Sequence, residues 1–566
     1  MKLTDQKILH RVWTFYVALF GGNRRVSVLA AVPMVVAVAG IVVRGFQYDT
    51  WAWTEHYSDA YYYLEFAKQA AQGEFFTYAN VFPSSGIHPL HWLHLAAVYA
   101  LTGGSQAWMF PILFATYALA FTITTWAVLY TLRALGVGAG LLLFVVLAMT
   151  YGNYLADALN IPLLIPVIYT NFVNLMPSWG LITSLSLLIA AGVKHFRNPS
   201  SGGWILIVLA SVMAVWSRVD YLIVVLPFVM VVAWRSSTLL RWQRVVLVGA
   251  APVAVAAWSL VLVIATGLSV PTSGAVKSGL AHAVEIGPGN AITFLSQNFL
   301  DSAGSLHALI ALAGMLACAV LLILAARSRQ IRRSPFAWAF TAVLGGMFVL
   351  FLYHMMFTFP GDIGSWYFRP YRVLMLIVGI FALGSIAWLQ SLARVPAVDR
   401  TLKVIAVLAI AWIVVSHFNG PGAASDSLVR THLVRDVVQQ LDEVVDSGAT
   451  FYDGTDGAFG WYSEYTAYHI KGMANTPDYV DTARRVRLVE LAEMIPVYAS
   501  YIDETEIDYV VSYARGPVGD LANECWVVLS TVAYAENRVG DQFSNAYAAR
   551  SADWVRFLEC QAGGVR

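Results

Sequence analysis

The segment from Tyr48 to Tyr63 sets three carboxylates, Asp49, Glu55 and Asp59, among Tyr and Trp side chains. A carboxylate at the mouth of an apolar cavity can serve as a general base, because partial loss of water raises its basicity toward an acceptor hydroxyl. Ser58 and Asp59 also read as the N-cap of an amphipathic helix over Tyr61 to Gln72, a role worth about 1 kcal/mol and no catalysis. Downstream, His88, His91 and His94 follow the spacing i, i+3, i+6. Neighbouring pairs can share a helix face, but all three cannot point one way, so they make a poor metal set. His88 suits hydrogen bonding to a hydroxyl or a phosphate, and the other two suit an interfacial structural role. Trp51, Trp53, Trp366 and Tyr367 offer flat faces for stacking on a ring, or else form an aromatic belt at the membrane surface.

The elements that must position these residues are membrane helices. Of the 566 residues, 58% are hydrophobic and 12% charged, where soluble domains carry about 25% charged residues. The mean hydropathy is +0.64, and 19 Trp, 28 Tyr and 29 Phe exclude a disordered chain. A net charge of +1 gives no field for a polyphosphate partner, so no nucleic acid is expected. Runs of about 20 apolar residues are needed to cross a bilayer. Such runs fall near 26–43, 106–131, 137–152, 176–193, 203–217, 220–234, 245–267, 305–326, 336–356, 370–390 and 403–417. Leu9 to Phe20 reads as an interfacial helix ahead of a retained signal anchor.

Charge sets the direction. Lys2, Lys7, Arg11, Arg24 and Arg25 place the N-terminus in the cytoplasm, and 18 of the 24 Lys/Arg before residue 418 fall on that side. The carboxylates lean the other way: of 12 in the same half, only Asp5 and Asp399 are cytoplasmic. That bias places chemistry or binding at the outer face, where the first loop, 44–105, is unusually long. His88 to Leu101 is too short to span and reads as an interfacial or re-entrant helix. Ile161 to Val173, broken by Pro162 and Pro166, reads as irregular backbone lining a cavity.

Eleven crossings leave residues 418–566 outside, and this part holds 22 of the 34 acidic residues. Short β-like runs at Thr450 to Tyr452, Tyr509 to Tyr513 and Trp526 to Leu529 alternate with helical patterns at Leu428 to Val445 and Val480 to Ile502. The expectation is a separate extracytoplasmic α/β domain, with Cys525 and Cys560 as a candidate disulfide. Asp453-Gly-Thr-Asp456-Gly lacks a Ca²⁺-loop spacing and a dinucleotide fingerprint, and reads as a Gly-rich turn beside a strand. No Walker A sequence or nucleophile elbow is present, and no cofactor or metal is expected.

The stretch from Ser58 to Leu93 resembles the first-loop pattern of GT-C glycosyltransferases, in which a D-D-A-Y-Y-Y-type helix precedes G-x-x-F-T and N-G-x-x-P-L-W. Trp216 to Asp220 is similar to the R-x-D end of a mid-chain span, Pro271 to Ser278 to a P-x-S-G-x-x-K-S loop, and Trp366 to Pro370 to a W-Y-F-x-P segment. Arabinofuranosyltransferase-like and mannosyltransferase-like members are the relatives suggested. The resemblance covers the first 417 residues in spaced pieces. It implies a GT-C-like fold, a polyprenyl-phosphate sugar donor and an active site at the outer face, with His88 beside it. Where relatives have two adjacent acidic residues, this chain has Ser58 then Asp59, so Glu55 and Asp49 stay alternatives for the base.

A lipid-phosphate leaving group departs as an anion and needs cations. Outside the C-terminal part, the outer face offers Arg44, Lys68, Arg218, Lys277, Arg369 and Arg372. Arg218, Lys277, Arg369 and Arg372 are the candidates, with Ser273 and the Gly274 backbone as neutral donors. Pairing with Asp220 or Asp362, or snorkelling at span ends, is the competing role. Tyr62, His88, Asp220, Trp366 and Tyr367 are candidate substrate contacts.

The expectation is therefore a polytopic α-helical membrane protein of about 11 spans in residues 1–417, followed by an α/β domain in 418–566. Its expected function is inverting transfer of a sugar to a glycan, lipid or protein acceptor. The expected location is a bacterial inner membrane with the C-terminal domain periplasmic. A lipid-linked substrate transporter or flippase, and a noncatalytic assembly protein, are the alternatives.

Overall fold

The computed structural model describes residues 10–46, 60–158, 177–199, 202–271, 303–357 and 369–385, a few single positions excepted. In the C-terminal part it describes 445–454, 458–469, 505–513, 528–533, 545–550 and isolated positions; Phe172, Gly274 and Tyr367 are also described. The helices are α1 (Arg24–Phe46), α2 (Ala60–Ala71), α3 (Pro89–Thr102), α4 (Gln106–Ala134), α5 (Ala139–Ala158), α6 (Ser178–Arg197) and α7 (Gly203–Ser217). After a 3-10 turn at Val219–Tyr221 come α8 (Leu222–Arg235), α9 (Arg241–Thr266), α10 (Ala303–Ala325), α11 (Pro335–Phe357) and α12 (Arg369–Ser385). A short helix, Arg329–Arg333, precedes α11.

Five of these, α1, α4, α6, α9 and α11, are long and apolar enough to cross a membrane, and four shorter apolar helices stand beside them. The chain is an integral membrane protein. Nine of the ten sequence-read runs up to 370–390 overlap one of these helices, and the tenth, 220–234, overlaps α8; residues 386–390, the run 403–417 and the Pro-broken stretch 161–173 lie outside the described residues, Phe172 apart. The interfacial stretch forms α3, with Pro89 at its first turn and Gly103 closing it in the left-handed region. Its Leu93, Ala97 and Leu101 stay exposed while His91, Trp92, Leu95 and Val98 are buried.

Ring contacts fix how the helices run. Trp204 packs on Trp242, and Trp216 Nε1 donates to Ala254 O at 3.2 Å, so α7 and α9 are parallel. Trp234 packs on Trp338 while Asp220 meets His354, so α8 is antiparallel to α11. Between those ends the helices nearly touch: a Cβ at Gly346 would lie 2.8 Å from Ile223 O and from Val224 Cα. In lipid, such small-residue contacts supply the close packing that holds helices together. The result separates two edges. Arg235, Arg241, Arg244 and Arg333 gather at one, where Arg235 Nη2 donates to Arg333 O at 3.1 Å, and Arg218 and Asp220 lie at the other.

The C-terminal part forms a five-stranded sheet in the order β2-β1-β3-β5-β4. Its strands are β1 (Thr450–Gly454), β2 (Thr466–His469), β3 (Tyr509–Tyr513), β4 (Val528–Ala533) and β5 (Asn545–Arg550), with helix α13 (Ala458–Tyr462) between β1 and β2. β1 pairs parallel with β2 and β3, whereas β5 pairs antiparallel with β3 and β4. The third β-like run overlaps β4 at Val528 and Leu529, and its Trp526 and Val527 lie outside the described residues. Phe451, Phe459 and Tyr465 stack in its core, with Phe451 centroids 4.8 Å from each of the other two. Asp453 and Gly454 end β1, and Thr455, Asp456 and Gly457, where the Gly-rich turn was expected, lie outside the described residues. Cys525, Cys560 and most of the two helical patterns lie outside the described residues.

Candidate functional site

At the edge away from the arginine group, the chain turns between α7 and α8 through Arg218, Val219, Asp220 and Tyr221. Arg218 grips Asp220 with a fork: Nε donates to Oδ1 at 3.2 Å and Nη2 to Oδ2 at 2.6 Å. The two side chains keep only 12% and 16% of their exposure. A fork of this kind fixes the plane of the guanidinium and leaves three of its five N–H groups for another anion. Tyr367 lies under the guanidinium, 4.7 Å from its ring centroid, and Tyr221 lies at 5.9 Å. These rings hold the cation by its quadrupole attraction and exclude water from one side.

The third element is α11. Its His354, 2% exposed, places Nε2 3.3 Å from Asp220 Oδ2 and packs edge-on against Tyr367 at 4.8 Å. Tyr221 and Tyr371 close the base of the cluster, with ring centroids 6.5 Å apart. Buried ions survive only when paired and hydrogen-bonded, so an Arg–Asp–His group assembled from three elements is a built site and not a surface accident. Arg369 opens α12 and Arg372 follows one turn later, half-buried on the same helix face.

The first loop arrives at this cluster through α3. Gly180, near the start of α6, sits where a Cβ would lie 3.0 Å from Ser217 Oγ and 3.3 Å from Leu90 Cδ2. That close approach brings Leu90, in the first turn of α3, next to Ser217, the last residue of α7. His88 stacks on Tyr63 at 6.2 Å and 16°, and Tyr63 also meets His91 edge-on at 4.9 Å. His91 Nδ1 accepts from Trp179 Nε1 at 3.1 Å, which fixes it as the unprotonated nitrogen. Thr116 Oγ1 gives its proton to Leu113 O, so the 2.9 Å contact with His94 must be donated by His94 Nε2. Burial pushes His94 down to about 4, which keeps it neutral. No metal-ligating cluster occurs among the described residues.

Of the residues singled out by sequence, the structure brings together Arg218, Asp220 and Tyr367, while His88 stacks on Tyr63. Tyr62 is fully buried against Tyr78, 5.5 Å between centroids. Asp59, the residue before α2, lies outside the described residues, as do Asp49, Glu55, Trp51, Trp53, Ser273, Lys277, Asp362 and Trp366; of Arg369 only the backbone is described. Sequence reasoning missed His354. An ionisable residue inside an otherwise apolar span is itself a signal of function, and that signal was present in Tyr353-His354-Met355. It also passed over Glu65, which burial raises to about 7 against the opposing charge of Lys68 and a hydrogen bond from Gln69.

No family model matches the chain, and no curated protein matches it. Among solved structures, the chain is similar to arabinofuranosyltransferase AftD from Mycobacteria, seen by cryo-EM, with a TM-score of 0.48 and 14% identity over 92% of this chain and 40% of that one. Two classes of a point mutant of AftD give TM-scores of 0.47 and 0.41 at 14% and 13% identity, again over 92% of this chain and 41% of theirs. The chain thus spans about two fifths of the length of the AftD chains it matches.

Proposed function

We propose that the chain is a GT-C-type inverting glycosyltransferase, which moves a sugar from a polyprenyl-phosphate donor to a glycan, lipid or protein acceptor at the outer membrane face. The observation that carries this reading is the meeting of the first loop and the Arg218 group at one membrane edge, through Leu90, Gly180 and Ser217. In a single displacement, Asp59 takes the acceptor proton as the acceptor oxygen bonds to the anomeric carbon. The bond from that carbon to the phosphate oxygen breaks, and its electron pair leaves with the lipid phosphate. Arg218, oriented by Asp220, meets the developing charge together with Lys277, Arg369 and Arg372, and Ser273 donates a neutral hydrogen bond. A low-dielectric site enlarges that stabilisation. Lipid phosphate is a competent leaving group at neutral pH, so no general acid is needed. His88, Trp366 and Tyr367 contact the sugar or phosphate, and the C-terminal domain is periplasmic in a bacterial inner membrane.

The test is transfer by purified protein in lipid, with Asp59→Asn, Glu55→Gln and Asp49→Asn run beside the wild type. The reading expects one variant alone, Asp59→Asn, to lose transfer while donor binding persists. Equal activity in all three would remove the first-loop carboxylates from the mechanism.

A further inference from the structure

The first-loop helix does not stand on the membrane helices alone. On one side α2 packs on α3, where Trp92 Nε1 donates to Phe66 O at 3.1 Å. On the other it meets the C-terminal sheet, 396 residues away in sequence, where Lys68 Nζ lies 3.1 Å from Glu464 Oε1. Four further contacts cross the same junction. Tyr61 packs on Tyr462 at 5.9 Å, Asn80 Nδ2 donates to Glu464 O at 3.1 Å, and Ala467 N–H of the edge strand β2 donates to Ala79 O at 3.0 Å. Gly460 of α13 faces Tyr78, and a Cβ there would fall 2.5 Å from the tyrosine Oη. Tyr78 cannot yield, because it is fully buried between Tyr62 and Phe66, at 5.5 and 5.3 Å.

Inside this junction lies a buried acid. Glu65 is 1% exposed; its Oε1 accepts from Gln69 Nε2 at 2.8 Å, whereas Lys68 Nζ lies 3.5 Å from Oε2. Lys68 is itself 9% exposed and stands between Glu65 and the solvent-facing Glu464. The groups facing Glu65 are thus Lys68 and Gln69 on its own helix, Tyr99 from α3, and Glu464 from the C-terminal part.

We propose that the C-terminal sheet is the mount of the catalytic helix: Gly460 and Glu464 position α2, and Lys68 is the counter-ion shared by Glu464 and the buried Glu65. The inference rests on the reading of Asp59, the residue that immediately precedes α2, as the base. Lys68, Glu65, Gly460 and Glu464 are positioning residues; none of them touches substrate. The charge arrangement gives the mount a signature. Below about pH 7 Glu65 holds its proton and needs no counter-ion; above it the buried carboxylate depends on Lys68.

The experiment uses the full chain in lipid nanodiscs and reads amide exchange over residues 60–71 at pH 6 and pH 8.5, corrected for intrinsic rates, with transfer assayed in parallel. Lys68→Met removes the Glu464 contact at both pH values and strands the Glu65 charge only at the higher one, so it is expected to lose a little protection over α2 at pH 6 and at least tenfold more at pH 8.5. Adding Glu65→Gln to Lys68→Met is expected to restore protection at pH 8.5, which a folding failure would not permit. Gly460→Val is expected to lower protection at both pH values, and kcat should follow protection while donor KM stays fixed. The proposal is overturned if the Lys68→Met loss is equal at both pH values, if Glu65→Gln fails to rescue it, or if Gly460→Val leaves α2 protected. Expected exchange behaviour with no transfer by any chain, wild type included, would uphold the mount and refute the catalytic reading instead.

Discussion

Replacing Arg218 by Met removes the cation from a pair whose side chains retain 12% and 16% of their exposure. Asp220 would keep its charge beside His354 alone, and breaking one member of a buried pair costs about 3–5 kcal/mol, because the other charge is left uncompensated. The double variant Arg218→Met, Asp220→Leu removes both charges and their desolvation together, and such apolar replacements are near neutral in stability. The two variants should therefore differ in stability. Chemical denaturation in mixed micelles should show the single variant destabilised by about 3–5 kcal/mol and the double variant close to wild type. Transfer from a polyprenyl-phosphate sugar should fail in both, since neither offers a guanidinium to the leaving phosphate. A stable double variant that still transfers sugar would refute the assignment of Arg218 to the phosphate. A single variant as stable as the wild type would refute the claim that this is a buried, mutually dependent pair.

Three more outcomes follow from single contacts. Tyr367→Leu removes the face 4.7 Å under the guanidinium, a contribution of about 0.5–2 kcal/mol, so donor affinity should fall about two- to thirtyfold with folding intact, as read by donor titration. Gly346→Ala would set a methyl 2.8 Å from the backbone of α8; parting α8 from α11 should cost about 1–3 kcal/mol and raise donor KM by drawing His354 from Asp220. Glu65 binds its proton more tightly in the folded chain, about 7 against 4.5, so its own contribution to stability is complete below pH 4.5 and is lost, by about 3 kcal/mol, as pH rises through 7. Glu65→Gln should flatten that slope in denaturation curves taken from pH 4 to pH 8.

Much of the helical framework was legible because a bilayer permits few solutions: runs of apolar residues bounded by Arg or Lys coincide with α1, α4 to α12. α3 was legible as too short to span, from the length of the apolar stretch His88 to Leu101. The strands around Phe451 and Val511 were visible as short β-like runs, but the order β2-β1-β3-β5-β4 was not, since pairing between segments so far apart leaves no local pattern. Within the candidate site, Arg218 and Asp220 were legible because they are two residues apart. His354 was not joined to them, because its contact with Asp220 depends on the antiparallel fit of α8 on α11 at Gly346. Glu65 read as an ordinary residue of an amphipathic helix; its burial comes from α3 and from the docking of Glu464 and Gly460, which no spacing encodes.

Transfer of a sugar from a lipid phosphate leaves two products, and both can be followed in one reaction. Purified wild-type chain in liposomes would be given polyprenyl-phosphate donors bearing different labelled sugars, with a panel of glycan, lipid and protein acceptors. One donor class is expected to give labelled acceptor and free polyprenyl phosphate in equal amounts, with the anomeric configuration inverted. Movement of intact donor across the bilayer with no release of polyprenyl phosphate, or failure of the chain to bind any lipid-phosphate sugar, would contradict it.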